Sequence, residues 1–364
     1  MSILTILSVF IFFILVPGLG AFSVRRRWRL VRGRLLEAGC MPRVSYHDYT
    51  SWEHETGGGV IGVRRMLACI DAVEGDDTLW VSNAELSAAI DMHQQKVVLL
   101  SGVQDDLLAG GMDEPAVSPV VLPWKRMLMI SQGMQVFVSG LLYSEGGQLR
   151  FRDNPQQPLL VFIFEGDPGM LLYRGVWNSR QRNEYFNQFT PGSLILGSAA
   201  LIFQAFVFLS DPDAYFLGLV ALTMGFVPVL PLLPPGVAGY FLFRRLWRYG
   251  RRLRSQRDLL KVPEKLCSQG EKIGLTCCLD DGSASDRIQT ISLAMHPEGA
   301  QWQLMINKTD DPLFISVRYP QNPAGIRHKL NRLAHLVEAL AVILFGLALA
   351  VNWYLMFVLL SYLV

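Results

Sequence analysis

Leu19-Gly20-Ala21-Phe22-Ser23-Val24-Arg25-Arg26-Arg27-Trp28-Arg29 changes character at a single point: apolar up to Val24, arginine-rich from Arg25. The apolar run before it, Ile3–Phe22, has about the 20 residues that a helix needs to cross a bilayer. Three further stretches have comparable apolar length: Ser193–Leu209, Tyr215–Phe243 and Leu336–Leu363. Arginine beside a span prefers the cytoplasmic side, most strongly within about 15–20 residues of the span end. The first span runs into Arg25, Arg26, Arg27, Arg29, Arg32 and Arg34, so residue 25 onward is expected inside. The second is approached through Arg174, Arg180 and Arg182. The third exits into Arg244, Arg245, Arg248, Arg251, Arg252, Arg254 and Arg257. The fourth is preceded by Arg327, Lys329 and Arg332. Between the second and third, Ser210-Asp211-Pro212-Asp213-Ala214 carries two acids and no base, which suits the outer face.

The expected fold class follows: an α+β membrane protein with four transmembrane helices and two β-rich cytoplasmic domains. The expected divisions are a signal-anchor helix at 1–24, a β-rich domain with a basic start at 25–191 and a second helix at 192–210. An external turn at 211–214 and a Pro-kinked third helix at 215–243 come next. A basic helix start with a small β-rich domain fills 244–335, and the last helix is 336–364. A signal peptide carries its positive charge before the apolar core, whereas here it follows, which favours an anchor. The expected location is the cytoplasmic (inner) membrane, multi-pass, with both termini outside. The composition is 51% hydrophobic and the net charge is only +2, because bases cluster beside the spans while acids sit in soluble segments. The five cysteines, Cys40, Cys69, Cys267, Cys277 and Cys278, all fall in segments assigned to the cytoplasm, where disulfides are rare.

Within 35–190, Thr78–Val81, Lys96–Leu100, Met127–Ile130, Gln135–Gly140, Leu149–Phe151 and Leu159–Phe164 read as strands, with Gly146-Gly147 as a hairpin turn. Ala84–Met92 has helical spacing. The second half is expected to be an antiparallel meander. In the smaller segment 259–331, Ile273–Leu279, Thr290–Ala294, Gln301–Ile306 and Leu313–Val317 read as strands. An echo links the two halves: Arg25-x-x-Trp28-Arg29-x-x-Arg32 after the first span and Arg244-x-x-Trp247-Arg248-x-x-Arg251 after the third. It is explained either by duplication or by the tendency of any inward-going span to end in Trp and Arg.

At helical spacing the echo makes basic faces with an interfacial Trp. Arg25, Arg26, Arg27, Trp28, Arg29, Arg32, Arg244, Arg245, Trp247, Arg248, Arg251 and Arg252 are therefore the candidate binders of anionic lipid headgroups, each base contributing about 1 kcal/mol near a charged leaflet. No aromatic-basic platform suggests nucleic acid. Pro228, Pro231, Pro234 and Pro235 in the third span are the candidate hinge; the alternative is a length adjustment in which neighbouring helices satisfy the freed backbone groups. Gln204 and Asn352 are expected to hydrogen-bond between helices. Glu338 is expected near enough to the inner end of its span to reach the interface. Trp52-Glu53-His54-Glu55-Thr56 has metal-binding residue types but lacks the second histidine of a His-Glu-x-x-His site. Adjacent Cys277-Cys278 point to opposite faces of a strand. No phosphate loop or nucleophile elbow is present, and no cofactor is called for.

Gly133-Met134-Gln135-Val136-Phe137-Val138-Ser139-Gly140-Leu141, then Gly147-Gln148-Leu149-Arg150-Phe151, then a polar stretch leading into a span, resemble the GIDE-type (beside-a-membrane) domain of membrane-anchored ubiquitin ligases over about residues 60–210. The resemblance implies a β-rich module against the membrane. No zinc-binding Cys/His ladder follows, so ligase activity is not implied. The expected function is a non-enzymatic scaffold or accessory subunit of a membrane complex with an unknown protein partner. The alternatives are a transport component that uses the Pro-rich span, or a metal-dependent membrane enzyme centred on His54.

Overall fold

The computed structural model describes residues 2–44, 46, 50, 59–100, 119–127, 130–181, 187–261, 313 and 323–363. The chain divides into two units. The helical unit comprises Met1–Leu30, Gln181–Arg254 and His328–Val364, and the sheet unit comprises Val31–Arg180 and Ser255–Arg327.

The sheet unit is built on one eight-stranded mixed sheet. Its strands are β1 (Gly59–Glu74), β2 (Thr78–Ser82), β3 (Ser87–Asp91), β4 (Lys96–Leu100), β5 (Val120–Pro123), β6 (Gln135–Glu145), β7 (Gln148–Arg152) and β8 (Leu160–Phe164). The order is β1-β2-β3-β7-β6-β8-β4-β5, and β1 pairs with β6 as well. Because β1 is long, its end pairs with β2 (Cys69 opposite Ser82) while its start pairs with β6 (Gly59 opposite Ser144). Five strands thus close a ring, β1-β2-β3-β7-β6. Register shifts at Val60/Gly62 and Ile70/Ala72 bend β1 enough to serve both neighbours.

The ring has an apolar interior. Met66, Ala68 and Ile70 of β1, Leu79 and Val81 of β2, Ala88 and Ile90 of β3, Val136, Val138 and Leu142 of β6, and Leu149 and Phe151 of β7 share one buried cluster. Their period of two is the strand period. β8 has no such alternation: all five residues of Leu160–Phe164 are buried. Val161 and Ile163 join the first cluster, while Leu160, Phe162 and Phe164 join a second. Val98 and Leu100 of β4 and Phe137 of β6 belong to it too, and helices add Leu35, Leu36 and Ala38 from α2 (Val16–Gly39), and Leu171, Leu172 and Val176 from α3 (Leu171–Gln181). Gly175 permits the approach, since a Cβ there would lie 2.3 Å from Leu35 Cδ2.

The helical unit contains α1 (Ser2–Val9), a π segment (Phe10–Leu15) and the first part of α2, which run on as one helix. It also holds α4 (Thr190–Leu209), α5 (Tyr215–Gly225), a 3₁₀ segment (Val227–Leu232), the first part of α6 (Pro234–Leu259) and most of α7 (Pro323–Leu363). Among the described residues, three helices are long and apolar enough to cross a membrane: Ile3–Gly39, Thr190–Leu209 and Gly325–Leu363.

Four expectations need correction. Tyr215–Phe243, read as one span, is two helices with a 3₁₀ segment between them, because Pro228 and Pro231 remove N–H donors where a straight helix would need them. Ala84–Met92 is not a helix but contains β3, because Ala88, Ala89 and Ile90 are all buried between β2 and β7. Asn83 Oδ1 accepts from the Glu85 and Leu86 amides and fixes the turn before it. The meander is replaced by a branch: β6 takes β8 along Gln135–Ser139 and β7 along Leu141–Glu145, both antiparallel, while β3–β7 and β4–β8 are parallel. Near Met127–Ile130, Trp124–Arg126 is a 3₁₀ turn, and Met127 and Ile130 stand outside the strands. The Gly146-Gly147 turn holds as expected, with φ of 58° and 74° at its two residues. The four strands expected in 259–331, Leu313 apart, lie outside the described residues.

Phe162 is 1% exposed and on the helix-covered face. Phe162→Ala is expected to destabilise the protein by about 3–5 kcal/mol. Denaturant unfolding followed by intrinsic fluorescence would show this as a lowered midpoint.

Candidate functional site: the basic helix ends and the broken third segment

In both copies of the Trp-Arg echo the arginine one turn beyond the Trp is drawn inward. On α2, Trp28 is 3% exposed and Arg32 is 5% exposed, and Arg32 donates to the Ser179 carbonyl at 3.2 Å. On α6, Arg251 is 3% exposed and its guanidinium lies 4.6 Å from the centroid of the Trp247 ring. Trp247 in turn stacks on Phe243 at 5.4 Å. Around these, Arg25, Arg26, Arg27, Arg29, Arg244 and Arg245 are exposed, and Trp247, Arg248 and Arg252 are half-buried. The twelve headgroup candidates therefore separate into six outward arginines, three half-buried residues (Trp247, Arg248 and Arg252) and an inward set, Trp28, Arg32 and Arg251, engaged in packing.

Sequence reasoning missed what Glu338 does. Its side chain is 12% exposed, accepts from Arg254 Nη2, and has Arg251 Nε 3.9 Å from Oε1. A Cβ on Gly250 would lie 2.8 Å from Glu338 Cγ, so glycine is what allows the acid to close on α6. The available signal was a lone acid in an apolar helix, matched by an arginine-rich one elsewhere in the chain.

That ion pair is one end of a seam. Along α7, Ala334, Glu338, Ala341, Phe345, Ala348 and Asn352 recur at alternating spacings of four and three, the repeat of two helices packed at a shallow angle. Opposite them on α6 stand Gly250, Phe243, Gly239 and Gly236. A Cβ on Gly239 would lie 2.5 Å from Ala348 Cβ, and Phe243 meets Phe345 at 5.3 Å. Small residues let the backbones approach closely, which is how helices pack where lipid removes the hydrophobic incentive.

The other end of the seam is the break. Pro228 and Pro231 lie in the 3₁₀ segment, and Pro234 and Pro235 open α6, so four N–H donors are missing within 228–235. Asn352, 0% exposed, answers part of this loss: its Nδ2 donates to the Leu230 carbonyl at 2.7 Å and to the Leu233 carbonyl at 3.5 Å. Elsewhere in the unit Gln204 accepts from Thr5 Oγ1 at 3.1 Å and donates to Ser8 Oγ at 2.9 Å. Ser193 Oγ donates to the carbonyl of Phe12, inside the π segment. The interhelical hydrogen bonds expected of Gln204 and Asn352 are thus both present.

The sheet unit has its own buried charge cluster. Asp258, 6% exposed, accepts from Arg180 Nε at 3.0 Å, from Arg180 Nη2, and from Arg257 Nη2 at 2.8 Å. Burial alone would raise the Asp258 pKa. The charge and hydrogen bonds of Arg180, then those of Arg257, outweigh it and hold the carboxyl below its ordinary range.

Trp52–Thr56, Cys267, Cys277 and Cys278 lie outside the described residues. Cys40 is buried and Cys69 exposed, and among the described residues neither is in a disulfide. Among the described residues no group of three or more His, Cys, Asp or Glu is placed to hold a metal ion. Compared with protein-family models, curated proteins and solved structures, the chain gives no match to any of the three.

Two outcomes follow from the buried charges. Asp258→Asn leaves Arg180 buried without its carboxylate and is expected to cost about 3–5 kcal/mol at neutral pH. A carboxyl with a depressed folded pKa contributes stability above its unfolded pKa and loses it as pH falls through the folded one. The gap between wild type and Asp258→Asn should therefore close below about pH 4 in pH-dependent unfolding. Glu338→Gln should lower the thermal midpoint in detergent, and Glu338→Gln combined with Arg254→Gln should lower it less than the sum of the two single changes.

Proposed function

We propose that the protein is a four-crossing inner-membrane scaffold or accessory subunit, with the sheet unit in the cytoplasm and no chemistry of its own. In this reading the broken segment α5–3₁₀–α6 is the fourth crossing, together with the three long apolar helices. The observation that carries the reading is the unequal distribution of charge in the helical unit. Arg25–Arg29, Arg244–Arg254 and Lys329–Arg332 gather at the ends of their apolar stretches, and Asp211 and Asp213 mark the opposite turn. The sheet unit adds a ring with its own apolar interior, a form that supports many unrelated activities and fixes none. The residues that resemble the GIDE-type domain form the β6–β7 hairpin of that ring, which fits a module beside the membrane.

In this proposal the outward arginines Arg25, Arg26, Arg27, Arg29, Arg244 and Arg245 rest on anionic headgroups. Changing all six to Gln should reduce co-purification of phosphatidylglycerol, read by lipid mass spectrometry, while Arg34→Gln leaves it unchanged. The scaffold reading is tested by extracting the tagged chain in mild detergent and measuring the mass of the particle. A stable assembly containing a second protein is expected, and a lone monomer counts against it.

A second reading, a transport component, is favoured by the broken segment alone. It requires Pro231→Ala and Pro234→Ala to change solute flux in reconstituted vesicles.

A further inference from the structure

We draw no further inference here: the strongest candidate, the outward apolar face of α7 formed by Leu336, Leu340, Ile343, Gly346 and Leu347, carries nothing because among the described residues nothing shows what covers it.

Discussion

A polar group left without a partner in hydrocarbon costs several kilocalories per mole, and much of the helical unit is an answer to that one constraint. Arginines begin where the apolar runs stop, at Arg25 and at Arg244. Several of the polar groups that do enter meet partners. Gln204 meets Thr5 and Ser8, Ser193 meets the Phe12 carbonyl, and Asn352 meets the broken segment. Glu338 meets Arg254 across the same α6–α7 seam that brings Asn352 to the break. The prolines break the segment between α5 and α6, and the glycines at 236, 239 and 250 bring in the helix that compensates.

The two ends of that seam behave differently. At Glu338 the interaction is between ions, so it is sensitive to the loss of either partner and to the other charges nearby. At Asn352 it is between dipoles, weaker per bond, but in a place where no water competes. Rotation of α6 about the break would withdraw Leu230 from Asn352 or open the contact between Gly239 and Ala348. The sheet unit is governed by a different rule. Its long first strand has to be used twice, and the closure of the ring depends on the bend that its two register shifts provide.

The features legible in the sequence were those with a strong local signature. Ile3–Phe22 followed by arginines, the uninterrupted Leu160–Phe164 run and the Gly146-Gly147 turn each declare themselves within a few residues. β1 did not. It begins in a glycine-rich stretch, carries Arg64 and Arg65 side by side, and owes its existence to β6, some seventy residues away, as much as to its own pattern. β3 was misread because Ala88 and Ala89 have no strand preference of their own and are strands only through their neighbours. Sequence reasoning reached the interhelical hydrogen bond of Asn352 and the disturbance at the prolines. It could not find the Glu338–Arg254 pair or the inward turn of Arg32 and Arg251, since these depend on which helix lies against which.

Orientation is the claim on which the functional reading rests, and accessibility measures it directly. A cysteine-free variant carrying either Asp213→Cys or Gln148→Cys would be treated in intact cells with a maleimide that cannot cross the inner membrane, then compared with lysed cells. Labelling of position 213 in intact cells, with position 148 reacting only after lysis, is the predicted result. Labelling of position 148 from outside would contradict the account.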